Sequence, residues 1–320
     1  MKTISICVPC YNEEANILPL YKQISVQFQQ LPAYEYEIIF ADNDSQDNSQ
    51  EVLRQLAAKD RHVKVILNMK NYGFMHSQKH CTFRATGDAI IGMTCDFQDP
   101  PELIPVFARE WEKGNLVVMG QKVKRSEYGL IPICRTLFYK LTNMLSDTSY
   151  YEHVTGFGLY DRMVIEQIRQ LDEPDISIRH LIPELGYHAA LIPYEQPQRK
   201  AGKSSFNFIK YARLAFTSLL HTSTTPLKFV TSLGMVTSII SFLLGVVYLA
   251  YKLLKWDSFS AGVAPILIGL FFLGGIQLGA IGLVGEYVCL IIKKMKHNPL
   301  VIEKESINFE NYELQDIEER

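Results

Sequence analysis

Two long runs without a charged residue, Phe229 to Tyr251 and Ser258 to Gly285, fill much of the last third of this 320-residue chain and limit what it can fold into. A bilayer core is crossed by about 20 apolar residues in helical form, and both runs are long enough. The alternative is a pair of buried core helices, but uncharged runs of this length are rare in soluble folds. Apolar residues continue past Glu286 to Ile292. Lys200, Lys203, Lys210, Arg213 and Lys228 precede the first run, and Lys293, Lys294 and Lys296 follow the second. The connecting segment sets Lys252 and Lys255 against Asp257. This distribution favours both ends of the chain on the inner side of a membrane. Met1-Lys2-Thr3 leads straight into the apolar Ile4 to Pro9, which predicts no leader and an N-terminal domain that stays in the cytoplasm.

Residues 1–227 read as an ordinary soluble mixture in which apolar strands and amphipathic helices alternate. Strands are expected at Ser5 to Val8, Tyr36 to Ala41, Val63 to Leu67, Ala89 to Thr94, Leu116 to Gly120 and Ala189 to Tyr194. Helices are expected at Glu14 to Gln29, Asp47 to Lys59 (capped by Asp47 or Ser49), Met75 to Ala85, Pro100 to Lys113 and Val164 to Leu171. Alternation of this kind implies an open, largely parallel α/β sheet with helices on both faces. Such sheets bind ligands beyond the carboxyl ends of their strands, where the polar clusters at 9–13, 42–47 and 96–99 fall. The expected domains are 1–204 for the α/β unit, 205–227 for an amphipathic juxtamembrane helix, 228–292 for two spans and 293–320 for a cytoplasmic tail, acidic and mobile from Glu303.

The net charge of −2 gives no bulk electrostatic case for a nucleic-acid partner. The six cysteines, at 7, 10, 81, 95, 134 and 289, are expected as free thiols in a cytoplasmic domain. Cys7-Val8-Pro9-Cys10 has redox or zinc spacing, yet it has no second pair nearby and is read as packing.

Asp96-Phe97-Gln98-Asp99 crowds carboxylates at a strand end, a costly arrangement unless a cation satisfies them. Mg²⁺ or Mn²⁺ with a diphosphate co-ligand would do so through Asp96 and Gln98. Asp99 before Pro100-Pro101-Glu102 also suits a helix N-cap, and both roles can hold. Asp42 and Asp44 suit ribose hydroxyls or a base edge, whereas Asp47 suits a cap. Two basic clusters, Lys122, Lys124, Arg125, Arg135 and Lys140, then Arg199, Lys200 and Lys203 with Ser204 and Ser205, suit a phosphate. They suit anionic lipid headgroups equally.

Pro9-Cys10-Tyr11-Asn12-Glu13-Glu14 resembles the P-x-Y-N-E opening of glycosyltransferase family 2. Asp42-Asn43-Asp44-Ser45-Gln46-Asp47 resembles its D-D-G-S-x-D segment, and Asn71-Tyr72-Gly73 and Gly87-Asp88 match its N-x-G and G-D positions. Asp96 to Glu102 is similar to the D-A-D-L-Q-D-P-P-E motif of the family's polyisoprenyl-phosphate branch, which includes dolichyl-phosphate mannose synthases and bacterial polyprenyl-phosphate glucosyltransferases. Arg199 to Ser205 resembles the branch's R-x-A-G-x-S, and Gly285-Glu286-Tyr287 with Asn298 to Ile302 its usual ending.

The resemblance implies a GT-A fold and inverting, metal-dependent transfer from a nucleotide sugar, a UDP-hexose foremost, to a polyprenyl phosphate. It implies Pro9, Tyr11, Glu13, Asp42, Asp44 and Asn71 around the nucleotide, and Asp96 and Gln98 on Mg²⁺ or Mn²⁺. Lys122, Arg125, Arg135, Arg199, Lys203 and Ser204 would meet the acceptor phosphate, with Asp96, Asp99, Arg125 and Arg135 at the reacting centre. It further implies a multi-pass protein of the bacterial inner membrane and a homo-oligomer, a tetramer by likeness to the branch. Three departures stand out. Thr94 replaces the first carboxylate of D-A-D, Asn43 and Asp44 replace D-G, and Thr155-Gly156-Phe157-Gly158-Leu159 replaces G-D-F-R-L. Two other readings stay open. One is transfer to a hydroxyl of a glycolipid or lipid-linked glycan, with Glu152, Asp161 or Asp99 as base. The other is an inactive, scaffolding homologue.

Overall fold

The computed structural model describes residues 1–123, 151, 153–171, 173, 176–197, scattered positions between 230 and 254, 263–295 and 299–309. The chain divides into two compact units, one of residues 1–133, 148–205 and 298–320, the other of 134–147 and 206–297.

The first unit is built on an eight-stranded mixed sheet. Its strands are β1 (Lys2–Cys10), β2 (Tyr34–Asp42), β3 (Val63–Asn68), β4 (Ala89–Gly92), β5 (Val117–Lys122), β6 (Val154–Asp161), β7 (Ala190–Tyr194) and β8 (Glu303–Ile307), in the spatial order β7-β5-β6-β4-β1-β2-β3-β8. The pairs β1–β2, β1–β4, β2–β3 and β5–β7 are parallel. The pairs β3–β8, β4–β6 and β5–β6 are antiparallel. β1 sits at the centre and is buried from Ile4 to Cys10, as a strand covered on both faces must be.

Helices cover both faces. α1 (Glu14–Phe28), α2 (Ser49–Lys59) and α4 (Ile104–Glu112) bury Ile17, Leu20, Leu53, Ile104 and Phe107 against Ile6, Val8 and Phe40. On the other face α3 (Phe74–Arg84), α5 (Arg162–Gln170) and α6 (Ile178–Glu184) bring Cys81, Val164, Ile168 and Leu181 onto Cys7, Ile39 and Ile90. Cys7 and Cys10 thus belong to opposite cores and form no pair. Cys7, Cys10, Cys81, Cys95 and Cys289 are free thiols, and Cys134 lies outside the described residues.

Three expectations about chain ends and caps change. The acidic tail is not mobile from Glu303, because Glu303–Ile307 forms β8 on the edge of β3. There Glu303 accepts from His80 at 2.7 Å and pairs with Arg84 at 3.1 Å, while Glu305 pairs with Arg54 at 2.8 Å. The N-cap of α2 is Asn48, because Asp47 turns its two carboxylate oxygens onto the backbone N–H groups of Ser49 and Glu14, at 3.0 and 3.2 Å. Asp99 caps nothing: Pro100 occupies the N-cap of the short 3₁₀ turn Pro101–Leu103, and the Asp99 carboxylate is used elsewhere.

In the second unit the principal described element is α7 (Val263–Met295). Among the described residues no helix is long and apolar enough to cross a membrane. This finding overturns the multi-pass placement in a bacterial inner membrane. The expectation rested on counting uncharged residues in the sequence. Most of the first run, with the amphipathic helix expected at 205–227, lies outside the described residues.

Candidate active site

The parallel register aligns the carboxyl ends of the central strands. Cys10 pairs with Asp42 across β1 and β2, and Cys7 with Gly92 across β1 and β4. The loops that leave β1 and β2 are therefore neighbours, and they brace each other through polar groups. The N–H of Asn12 donates to Ser45 Oγ at 2.8 Å and that of Glu13 to Ser49 Oγ at 3.0 Å. In return the N–H of Gln46 donates to Asn12 Oδ1 at 2.8 Å. Asn12 and Asp44 adopt left-handed backbone with φ of 56° and 59°, which Asn and Asp tolerate best after glycine.

Asp42 is fully buried, and both its oxygens accept from Ser45, Oδ1 from the N–H at 3.0 Å and Oδ2 from the hydroxyl. Burial pushes its pKa up, against the pull of the Ser45 bonds. Pro9 is buried within β1, while Tyr11, 43% exposed, stands at the surface of the loop. Asn71 is exposed and closes a turn by accepting from the N–H of Gly73 at 2.9 Å.

At the end of β4 the chain turns through Phe97, at φ 61°, and Asp96 and Asp99 are both buried. Asp96 Oδ1 accepts from the N–H of Gln98 at 3.2 Å, and Gln98 Oε1 accepts from Gln196 Nε2 at 2.8 Å. Asp99 Oδ2 accepts twice from Thr94, from its N–H and its hydroxyl, both at 2.9 Å. Tyr194 Oη donates to Asp99 Oδ1 at 3.4 Å. Burial raises the pKa of Asp99, Thr94 and the Lys122 charge oppose the rise, and the Asp96 charge adds to it.

A cavity of about 220 Å³ opens here. Its polar lining includes Thr94, Gln98, Asp99, Lys122 and Gln196, with Gln78, Lys79, Ser177 and Arg179. Phe74, Met75 and Phe157 add an apolar part. The structure thus brings Gln98, Asp99 and Lys122 together and keeps Tyr11, Glu13, Asp42 and Asp44 on the neighbouring loops. Arg125, Arg135, Arg199, Lys203 and Ser204 lie outside the described residues, as does Glu152. Asp161 is excluded as a base because it caps α5 through the N–H of Met163 at 2.9 Å and accepts from Trp111 Nε1 at 2.8 Å.

The Glycosyl transferase family 2 profile matches residues 5–169, which include both braced loops and the Asp96–Asp99 turn. The chain is also 34% identical over 302 residues to the bactoprenol glucosyl transferase of Shigella phage SfV, covering 94% of this chain and 98% of that one. The chain belongs to glycosyl transferase family 2. A prophage bactoprenol glucosyl transferase homolog of Escherichia coli K12 is 32% identical, over 94% of this chain and 98% of its own length. Among solved structures, glucosyl-3-phosphoglycerate synthase from Mycobacterium tuberculosis superposes with a TM-score of 0.47 at 17% identity, covering 68% of this chain and 76% of that one.

For this glycosyltransferase two of the departures now have a physical setting. Thr94 supplies two hydrogen bonds to Asp99, where a carboxylate would have met it with like charge. A side chain at Gly158 would place its Cβ 2.3 Å from the Val118 carbonyl oxygen, so the close β5–β6 pairing rules out an arginine there. At Gly156, φ is 97° and nothing stands within 4 Å of a built Cβ, so the space the family's aspartate would enter is open.

As a metal site the turn offers oxygen donors only, the Asp96 carboxylate and the Gln98 amide, which fits Mg²⁺ or Mn²⁺ rather than zinc. Among the described residues no group of three or more His, Cys, Asp or Glu could hold a metal, so most of the coordination would come from diphosphate and water. Sequence reasoning missed Gln78, Lys79, Arg179 and Tyr194. Each is a single polar residue in an otherwise unremarked helix, loop or strand, and only the fold carries Gln78, Lys79 and Arg179 to the cavity and Tyr194 to Asp99.

Proposed function

We propose that this glycosyltransferase transfers a hexose, with inversion, from a UDP-sugar to a polyprenyl phosphate. The observation that carries this reading is the cavity in which Asp99, Gln98 and Lys122 meet beside the braced β1 and β2 loops. The near full-length match to proteins named bactoprenol glucosyl transferase supports the acceptor and makes glucose the first sugar to test. Tyr11, Glu13, Asp44 and Asn71 would flank the nucleotide, with Asp42 holding the loop from beneath. The cavity would take the sugar.

A lipid phosphate is already anionic at neutral pH and needs no strong general base to attack. The open space at Gly156 is consistent with such an acceptor. Lys122 would attract the acceptor phosphate from within the cavity, and Arg125, Arg135, Arg199, Lys203 and Ser204 are proposed to complete its binding. Asp99, held by Thr94 and Tyr194, would fix the geometry of the turn and the charge beside the reacting carbon. Asp96 and Gln98 would hold Mg²⁺ or Mn²⁺, which would stabilise the departing diphosphate. Holding the two phosphates in line would be the larger part of the catalytic task. A homo-oligomer is part of the proposal.

The chemistry of the product tests this. A glycosyl phosphate is cleaved by mild acid, whereas a glycoside of a lipid-linked glycan survives. An acid-labile labelled lipid whose formation stops with EDTA and resumes with Mg²⁺ or Mn²⁺ is expected. An acid-stable product would refute the phosphate acceptor.

A further inference from the structure

Gln78 lines the cavity from α3, and its side chain is held in place more firmly than a surface glutamine would be. A Cβ built on Gly92 would lie 2.4 Å from Gln78 Nε2, so the amide occupies the room that this glycine leaves in β4. The helix beneath it is fixed at both neighbouring positions. Ser77 belongs to a buried network in which its hydroxyl donates to Asn43 Oδ1 and Asn68 Nδ2 donates to Ser77 Oγ at 3.2 Å. Lys79, 3% exposed, donates to the carbonyls of Glu173 and Ile176. Thr82 Oγ1 closes the turn on the Gln78 carbonyl at 2.9 Å.

Against this fixed setting the side-chain oxygen stands out. Gln78 Oε1 is buried and has no hydrogen-bond partner among the described residues. Buried side-chain oxygens are nearly always satisfied, and one left open on a cavity wall points to a group that arrives later. An amide oxygen accepts only, so its partner must donate. A diphosphate offers no donor at neutral pH, whereas each free hydroxyl of a hexose does.

We infer that Gln78 is a specificity-determining residue whose Oε1 accepts from one hydroxyl of the transferred sugar. The cavity, at about 220 Å³, lies below the size of common drug-like sites and suits one monosaccharide. Gln98, Asp99 and Lys122 belong to its polar lining, so a sugar held by Gln78 would reach the reacting end of the site. This inference rests on the proposed sugar-nucleotide donor but not on the lipid acceptor.

The test is a cycle between protein and ligand with the full-length chain. UDP, UDP-glucose and the UDP-linked 2-, 3-, 4- and 6-deoxyglucoses are bound by calorimetry to the native protein, to Gln78→Met and to Gln78→Glu. Gln78→Met is expected to bind UDP unchanged and UDP-glucose about tenfold more weakly, the size of one lost hydrogen bond that leaves a donor unpaired. Gln78→Glu, which keeps the accepting oxygen, is expected to recover most of that loss. One deoxy sugar should bind the native protein about tenfold more weakly and lose nothing further in Gln78→Met. Equal binding of all deoxy sugars by the native protein overturns the inference, and needs no variant to fold. Equal binding of UDP-glucose by native protein and Gln78→Met overturns it too. If one hydroxyl is read through Gln78 while undecaprenyl phosphate receives no sugar, the inference stands and the proposed acceptor falls.

Discussion

In the proposed reaction Asp99 is the residue on which the chemistry of the site turns. Burial holds its pKa above the ordinary carboxylate value, with Lys122 and Thr94 pulling the other way. A raised carboxyl stays neutral to higher pH than a solvated one, so activity that needs the Asp99 carboxylate should rise with pH through that elevated pKa. The acidic limb of kcat/KM is expected above the usual aspartate range of about 4. Thr94→Val, which deletes one of the two donors, should move the limb to still higher pH, and Asp99→Asn should abolish it along with most turnover. A limb unmoved by Thr94→Val would contradict this assignment. The residue scale is also where the sequence was least legible. Asp96, Asp99 and Gln98 announced themselves by crowding, but that Asp99 does not cap the following turn is visible only from its bonds to Thr94. Gln78 gave no signal, because a glutamine on an amphipathic helix is ordinary until the fold sets it against Gly92.

At the scale of elements, strands and helices with clean periodicity were legible to within a few residues: β2 spans Tyr34–Asp42 where Tyr36 to Ala41 was expected, and α3 spans Phe74–Arg84 where Met75 to Ala85 was expected. β6 escaped notice because Gly156 and Gly158 interrupt its apolar pattern; close packing against β5 requires Gly158, and a φ of 97° favours glycine at 156. Gly158→Ala should cost about 1–3 kcal/mol in denaturant unfolding, since the strands cannot part without breaking ladder bonds; unchanged stability would mean that β5 and β6 are farther apart than described. β8 was hidden for a different reason: its charged residues, Glu303, Lys304 and Glu305, read as a solvated tail, and only pairing with His80, Arg84 and Arg54 makes them a strand. Burial alone would raise the pKa of Glu303, but His80 and Arg84 outweigh it, and the net shift is downward from 4.5. A depressed carboxyl contributes stability that is present above its unfolded pKa and lost as pH falls through the folded one. Glu303→Gln should therefore narrow the stability gap between neutral pH and pH below 4.5, measured by thermal unfolding across that range. An identical pH dependence in the variant would show that the strand end carries no such coupling.

For the whole molecule, the family was readable from an ordered set of short motifs, none decisive alone, and the sheet explains their order. The motifs at 9–14, 42–47 and 96–102 follow the carboxyl ends of β1, β2 and β4, and the parallel register of those strands gathers them at one edge. The placement in a membrane was not readable in the same way: the uncharged runs suggest spans, yet among the described residues no helix is long and apolar enough to cross a bilayer. The central claim is transfer of a hexose to a lipid phosphate, and mass spectrometry of the lipid tests it most directly. The full-length protein would be incubated with undecaprenyl phosphate, Mg²⁺ or Mn²⁺ and UDP-glucose, beside other nucleotide sugars. A lipid heavier by one hexose, formed by the native protein and absent with Asp99→Asn, is the expected result. Consumption of UDP-glucose with the lipid unchanged in mass would contradict the account.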